Sequence, residues 1–233
     1  MTRRTLVLGS TLFLLAAPLG AQVVGYPPDR SPYEDLRGKQ GIAYGVGVIS
    51  PGGDPAGVAP GQGVLLTATY QLKLSNALWL NTRAGYVPNL LRPVKDPLFT
   101  GPKRDYGTSV DPYLVLDAGF GLNLAGNKSW RRLSPQLHGG MGIVSTLGED
   151  YDLGAYRFGT KLQVSYGASL RIPTGRSWEW QADVTHMFWK YKYPSTYRGD
   201  GSATDMSIIG DHKLTAWKGN ALLQVGLTRY LYR

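Results

Sequence analysis

Seventeen consecutive residues, Tyr156 to Ile172 (YRFGTKLQVSYGASLRI), alternate between two kinds of side chain. A period of two is typical of a β-strand, whose successive side chains point to opposite faces. Ordinary strands have about 5 or 6 residues, but a strand that crosses a bilayer at a tilt needs about 9 to 11 within the lipid. One face carries Arg157, Lys161 and Arg171, which an apolar core would not accept. The stretch therefore predicts a membrane-spanning strand whose polar face lines the inside of a barrel.

The start of the chain is typical of a secretory signal peptide. Arg3 and Arg4 form a basic start, residues 6–17 are apolar, and cleavage is expected after Ala21. The apolar run is shorter than the roughly 18 residues that a spanning helix needs. The expected organisation is a signal peptide at 1–21, an irregular, proline-rich periplasmic arm at 22–38 and a β-barrel at 39–233.

The composition favours an exported all-β protein. The sequence has 31 glycines, 15 tyrosines and 6 tryptophans, and it has no cysteine, which excludes disulfides and thiolate metal sites. Removing the two signal arginines from the 25 basic residues leaves 23 against 16 acidic ones, a net charge of +7. The basic residues are spread among the strands, which argues against nucleic-acid binding and favours lipopolysaccharide or phospholipid as partner. No phosphate-binding loop, dinucleotide fingerprint or zinc-ligand spacing is present, so no cofactor is expected.

The alternation recurs in seven further segments. The eight predicted strands lie at about residues 39–48, 64–74, 78–86, 111–124, 133–143, 156–172, 178–188 and 217–228. Connections after the second, fourth and sixth strands are short, and those after the first, third, fifth and seventh are long. Bacterial outer-membrane barrels have this arrangement, with the short turns in the periplasm.

In pattern and topology, residues 39–233 resemble the small eight-stranded outer-membrane barrels of the OmpA/OmpX type. The resemblance implies an all-β fold, an eight-stranded antiparallel up-and-down transmembrane β-barrel in the cell outer membrane. It also implies insertion by the barrel-assembly machinery, contact with outer-membrane lipid and lipopolysaccharide, and a monomeric state. Such barrels usually end in an aromatic residue. This chain ends Tyr232-Arg233, so Tyr232 would have to serve as the assembly signal.

The polar faces of the strands predict a charged lumen. An eight-stranded barrel encloses a space that side chains just fill, and charges removed from bulk water must pair. The predicted lumen charge network comprises Lys73, Arg83, Asp117, Arg157, Lys161, Arg171, Glu179 and Asp183. It indicates a structural or surface-interaction protein with a side-chain-filled lumen, and a narrow pore for small solutes or ions is the alternative.

The hairpin between the sixth and seventh strands allows a prediction of register. Its inward residues all carry odd numbers, and matching that parity sets Arg171 opposite Glu179 and Gly167 opposite Asp183. This register predicts an ion pair between Arg171 and Glu179 near the periplasmic mouth.

A lipid A-modifying enzyme is a further alternative. His186 has lipid-facing parity, and eight-stranded lipid A deacylases use a lipid-facing histidine with a nucleophilic serine two positions later. Here that position is Phe188. A serine–histidine enzyme needs a hydroxyl within hydrogen-bond reach of the imidazole, so no enzymatic activity is expected.

The long loops and the strand ends carry further candidate groups. Acidic residues that could bind calcium or simply remain solvated are Glu149, Asp150 and Asp152. Basic and aromatic loop residues expected to contact lipopolysaccharide phosphates or a surface partner are Arg92, Lys95, Lys103, Arg104, Lys190, Tyr191, Lys192, Tyr193, Tyr197 and Arg198. Aromatic girdles are expected from Tyr86, Tyr156, Phe158, Phe188 and Trp217 at the outer interface and from Trp178, Trp180 and Tyr232 at the inner one.

Overall fold

Eight antiparallel strands form a closed barrel in the computed structural model, as the sequence predicts. The barrel strands are β2 (Gln40–Ser50), β3 (Gly63–Lys73), β4 (Leu78–Lys95), β5 (Asp105–Asn123), β7 (Ser134–Thr146), β8 (Thr160–Pro173), β9 (Trp178–Lys192) and β10 (Thr215–Tyr232). Two short strands, β1 (Tyr33–Asp35) and β6 (Lys128–Trp130), pair outside the barrel, and a 3-10 helix spans Ser195–Arg198. The structure describes residues 32–36, 38–50, 52, 54, 56–58, 61–96, 105–148, 156–174, 177–198, 208–209 and 213–232. The expected signal peptide lies outside these residues.

The barrel is closed by β10, which pairs with β9 on one side and with β2 on the other. Every other barrel strand pairs with its neighbours in chain order. Closure leaves no open sheet edge, so each strand's backbone polar groups find partners on both sides, which a bilayer requires.

No described helix is both long enough and apolar enough to cross a membrane.

The outer surface of the barrel is apolar, as β8 illustrates. Its outward residues Leu162 and Tyr166 are 58% and 56% exposed, whereas the alternating Gln163, Ser165 and Ser169 are buried. The same inversion runs around the barrel, and Trp178, Trp180 and Trp217 lie on the exposed face as predicted. An apolar exterior around a polar interior is typical of a barrel that spans lipid.

Strands β4 and β5 are longer than predicted. The pairing register shifts between Val87 and Leu90, which marks a β-bulge at Pro88 and Asn89. The bulge moves the alternation by one residue. Inward residues have odd numbers up to Val87 and even numbers from Leu90 onward. The uninterrupted alternation therefore ends at Tyr86, although the strand continues to Lys95, and much of the predicted loop is paired β-structure.

Strand β8 begins at Thr160, four residues later than predicted. Gly159 has a φ of +63°, in the left-handed region that favours glycine, and it redirects the chain before the strand. Tyr156 and Phe158 are buried inside the barrel, and Arg157 is exposed. The prediction that these two aromatic residues belong to the outer girdle is wrong because the alternation before Gly159 does not belong to the strand.

Part of the segment predicted to be an irregular arm is ordered. Strand β1 pairs with β6, which lies within a stretch predicted to be a turn. The backbone nitrogen of Leu36 donates a 2.8 Å hydrogen bond to the carbonyl of Asn127, and Leu36 is buried. Gly38 lies so close to the ring of Tyr230 that a Cβ would stand 2.2 Å from it. The chain thus enters β2 in contact with the short-turn end of the barrel.

Candidate functional site

The lumen of the barrel is the candidate site, and it has two chemically different halves. Near the short turns its buried side chains are charged or carry amides, as the sequence predicts. Near the long loops they are apolar and aromatic, which differs from the charged lumen predicted from the sequence. The sequence of β9 does indicate the aromatic half. From the short-turn end to the loop end, its inward residues change from Glu179 and Asp183 to Met187, Trp189 and Tyr191.

An ion pair between Arg171 and Glu179 fills the lumen nearest the short turns. The Nε of Arg171 contacts Oε1 of Glu179, and both side chains are 1% exposed. The hydroxyl of Tyr230 donates a 2.9 Å hydrogen bond to Oε2 of Glu179 and also contacts the guanidinium. That guanidinium lies 4.6 Å from the ring centroid of Trp79. Both buried charges therefore have several partners, which offset the cost of their desolvation.

A second ion pair joins Arg83 and Asp117, which lie directly opposite each other on β4 and β5. The distance from Nε of Arg83 to Oδ2 of Asp117 is 3.0 Å, and Nε2 of Gln163 donates to the same oxygen at 3.2 Å. Three strands therefore converge on one carboxylate.

A third polar cluster in the lumen is centred on Asp183. Its Oδ1 accepts a 2.5 Å hydrogen bond from the hydroxyl of Thr185, and its Oδ2 lies 3.6 Å from Nε2 of His138. The same histidine nitrogen lies 3.1 Å from the Thr185 hydroxyl oxygen. Gly167 leaves room for this ring, because a Cβ there would stand 2.7 Å from Nε2 of His138.

The remaining members of the predicted network lie elsewhere. Lys73 contacts the side-chain oxygen of Asn127 at the short-turn end. Nζ of Lys161 lies 4.8 Å from the ring centroid of Phe158, at the loop end, and Arg157 is exposed. The structure thus brings five of the eight predicted residues into buried pairs or hydrogen-bonded groups and places three outside them. Arg157 falls outside because it precedes the start of β8.

A small polar cavity of about 50 Å³ lies among these groups. Besides the charged residues, its lining includes the amides of Gln71, Asn81, Gln136, Gln181 and Gln224. A cavity of this size has room for a few water molecules. It is a pocket within the polar half of the lumen.

An aromatic cap fills the loop end of the lumen. We define it by Tyr113, Tyr156, Phe158, Trp189 and Tyr191, all of which are buried. The ring of Phe158 lies at its centre, with its centroid 4.7 Å, 6.1 Å and 5.9 Å from those of Tyr113, Trp189 and Tyr191. The prediction of a lumen that is polar throughout is therefore wrong for this half.

The described residues of two long loops pack against the aromatic cap and contact each other. Ala56 and Val58 of the first long loop are buried, and Asp54 accepts hydrogen bonds from their backbone nitrogens at 3.2 Å and 2.6 Å. The hydroxyl of Tyr193, in the fourth long loop, donates to the same carboxylate. Burial, together with Asp54, raises the pKa of the Tyr193 hydroxyl. The ring of Tyr197 stacks 6.2 Å from that of Tyr193.

Several loop residues expected to contact surface ligands are buried. Tyr191, Tyr193 and Tyr197 pack in or against the cap, so they are not available to an external partner. Arg92 is 1% exposed, and its Nε lies 2.6 Å from Oδ2 of Asp111. The bulge in β4 turns this arginine inward, which the uninterrupted alternation could not indicate. Lys103 and Arg104, expected to contact lipopolysaccharide phosphates or a surface partner, and the acidic residues Glu149, Asp150 and Asp152 lie outside the described residues.

His186 lies on the outer wall of the barrel, with the parity that the sequence predicts. Its ring stacks 5.8 Å from that of Tyr166 and lies 4.4 Å from that of Phe188, measured between centroids. Its Nε2 lies over Gly219, where a Cβ would stand 2.1 Å away. Within the part of the chain that the structure describes, no group of three or more acidic, histidine or cysteine residues is arranged to hold a metal ion.

Comparison with solved structures finds small outer-membrane barrels. The crystal structure of Neisserial surface protein A (NspA) is 10% identical in sequence, with a TM-score of 0.50 over 86% of this chain and 98% of that chain. The outer-membrane protein OprG from Pseudomonas aeruginosa is 10% identical, with a TM-score of 0.49 over 88% and 100% of the two chains. Ail from Yersinia pestis is 13% identical, with a TM-score of 0.39 over 82% and 99%.

No protein-family model matches the sequence, and a search of curated proteins found no match. At this identity the likeness to NspA concerns the fold, which is that of the eight-stranded outer-membrane β-barrels.

Proposed function

We propose that the chain is a closed outer-membrane β-barrel protein with a structural or surface-interaction role. The observation that carries this proposal is the filling of the lumen at two levels. Ion pairs and amides occupy the half near the short turns, and the aromatic cap occupies the half near the long loops. An eight-stranded barrel has an interior that side chains can fill, so these two layers support a closed barrel rather than a water-filled channel.

The outer-membrane location is supported by the barrel exterior and by the fold. The outward residues are apolar around the ring, and tryptophans lie on the exposed face. A barrel of this kind is inserted by the barrel-assembly machinery and contacts outer-membrane lipid and lipopolysaccharide. In this orientation the short turns face the periplasm, and the loops that cover the cap face the cell surface.

The narrow-pore alternative is supported by the polar cavity in the lumen. That cavity measures about 50 Å³ and lies on the short-turn side of the cap. A conducting path would have to pass Phe158 and Trp189, both of which are buried in the cap. The closed barrel therefore agrees better with the packing.

The absence of enzymatic activity is also part of the proposal. The rings of Tyr166 and Phe188 pack against His186, and no described serine or threonine hydroxyl is hydrogen-bonded to its ring. A nucleophile would need such contact with the base.

Envelope fractionation combined with lipid A mass spectrometry tests location and enzymatic action together. Cells with and without this chain are compared, with His186→Ala as a third sample. We expect the protein in the outer-membrane fraction and identical lipid A acyl patterns in all three samples. A change in acyl content that His186→Ala abolishes would show that the barrel is an enzyme.

A further inference from the structure

At the loop end of the barrel, the described residues on one side form charge pairs, and those on the other side carry only basic charges. On the side of β4 and β5, Arg92 pairs with Asp111, and Nζ of Lys95 lies 3.8 Å from Oδ1 of Asp105. On the side of β8, β9 and β10, the described stretches 156–163, 187–198 and 213–220 contain no aspartate or glutamate. Their seven cations are Arg157, Lys161, Lys190, Lys192, Arg198, Lys213 and Lys218.

Strand pairing brings part of this charge together on the outer wall. Lys190 lies directly opposite Trp217, and Lys192 lies opposite Thr215. Both lysines are exposed, and Trp217 is 51% exposed. We call Lys190, Lys192 and Trp217 the basic rim. Exposed tryptophans of membrane proteins lie at the boundary between hydrocarbon and water, so the two ammonium groups lie at the level of lipid headgroups.

The wall below the basic rim is apolar except for His186. Along β9 the outward residues change from Val184, which is 57% exposed, through the adjacent rings of His186 and Phe188 to Lys190. The adjacent strand β8 presents Leu162 and Val164 on the same outer face. An amphiphile matches this surface because its anionic headgroup contacts the lysines while its acyl chains lie along the wall. A soluble anion would use only the upper part.

We propose that the basic rim binds the phosphate groups of a lipid in the outer leaflet. Lysine ammonium groups bind phosphate oxygens through charge-assisted hydrogen bonds and as point charges. This inference rests on the outer-membrane location proposed above, and it assigns lipid binding to one side of the barrel.

Binding of lipid A to the refolded barrel tests the proposal. The probes are bisphosphorylated lipid A and the same lipid after removal of both phosphates, with binding measured by native mass spectrometry from detergent. The test variant is Lys190→Gln/Lys192→Gln. The matched control, Lys95→Gln/Lys128→Gln, removes the same charge from two positions away from the basic rim. Urea unfolding verifies that both variants are folded.

We expect the test variant to bind bisphosphorylated lipid A at least about tenfold more weakly than the wild type, since each of the two lysines near a lipid surface contributes about a fivefold factor. The control variant should change affinity less than about twofold, and the dephosphorylated lipid should bind all three proteins equally weakly.

Two results with lipid A would overturn the proposal. One is equal weakening of binding in both variants, and the other is equal affinity for the bisphosphorylated and the dephosphorylated lipid. Inorganic pyrophosphate binding as tightly as the lipid would also overturn it, because it would indicate a soluble-anion site. Each of these failures leaves the closed barrel and its location untouched.

Discussion

Arg171 and Glu179 form a buried ion pair diagonally across the hairpin of β8 and β9. In the strand pairing, Arg171 is aligned with Gln181, and Glu179 is aligned with Pro173. Parity matching predicts the right partners in the wrong register, with the two residues directly opposite. The error is a slip of two residues, which changes the pairing but keeps every side chain on its face. Both side chains are long enough to meet across the slip.

Replacing Glu179 with alanine should destabilise the barrel, because it leaves the Arg171 guanidinium charged and buried. Removal of one member of a buried pair costs about 3 to 5 kcal/mol. The combined change Arg171→Ala/Glu179→Ala should recover part of that loss. The measurement is a double-mutant cycle from urea unfolding of the refolded barrel. Strictly additive single changes would show that the pair does not form.

The aromatic cap should contribute strongly to stability. Phe158→Ala removes a ring that contacts three other rings, and loss of a buried aromatic side chain costs about 3 to 5 kcal/mol. Trp178→Ala is the control, because that side chain is 44% exposed on the outer wall. We expect the control to lose much less in urea unfolding. Similar losses for both variants would mean that the cap is not packed as described.

The contact between Tyr193 and Asp54 should make the loop cover sensitive to alkaline pH. The pKa of Tyr193 is raised by burial and by Asp54, so the folded state favours the neutral phenol. Its contribution to stability is fully present below the ordinary tyrosine pKa of about 10 and is lost as pH rises above that value. We expect unfolding of the wild type to become easier above pH of about 10, and the slope to be smaller in Tyr193→Phe.

Tyr106→Phe is the control for that titration, because Tyr106 is 65% exposed and also lies at the loop end. Thermal unfolding between pH of about 8 and 12 gives the slopes. Identical slopes for the wild type and Tyr193→Phe would show that the contact between Tyr193 and Asp54 does not contribute to the pH dependence of stability.

The orientation of the barrel can be tested by cysteine labelling, because the sequence has no cysteine of its own. Tyr106→Cys places a thiol at the loop end, and Thr174→Cys places one in an exposed short turn. A membrane-impermeant maleimide should label the first variant on intact cells and the second only after lysis. The opposite result would reverse the orientation.

Alternation along the sequence was sufficient to predict the eight strands and the faces of their side chains. The side of the sheet on which a residue lies can be predicted reliably, because a polar side chain facing lipid costs free energy wherever it occurs. Alternation fails where the backbone departs from a regular strand, as at the Pro88–Asn89 bulge and at Gly159. Both events lie near the long loops, and the one at Gly159 is why alternation assigns Tyr156 and Phe158 to the outer girdle. Trp189 and Tyr191 are missed because the regular alternation of β9 continues beyond residue 188, where the predicted strand ends. Arg83 and Asp117 lie in regular strand and have the predicted faces.

Single-channel recording tests the central claim, that the barrel is closed, most directly. The purified barrel is inserted into planar bilayers, and insertion is verified independently by protease protection in vesicles of the same lipid. The account predicts no discrete current steps above background for the wild type. Reproducible steps whose amplitude changes in Arg83→Ala, at the centre of the polar half of the lumen, would contradict it and would show that ions cross the barrel.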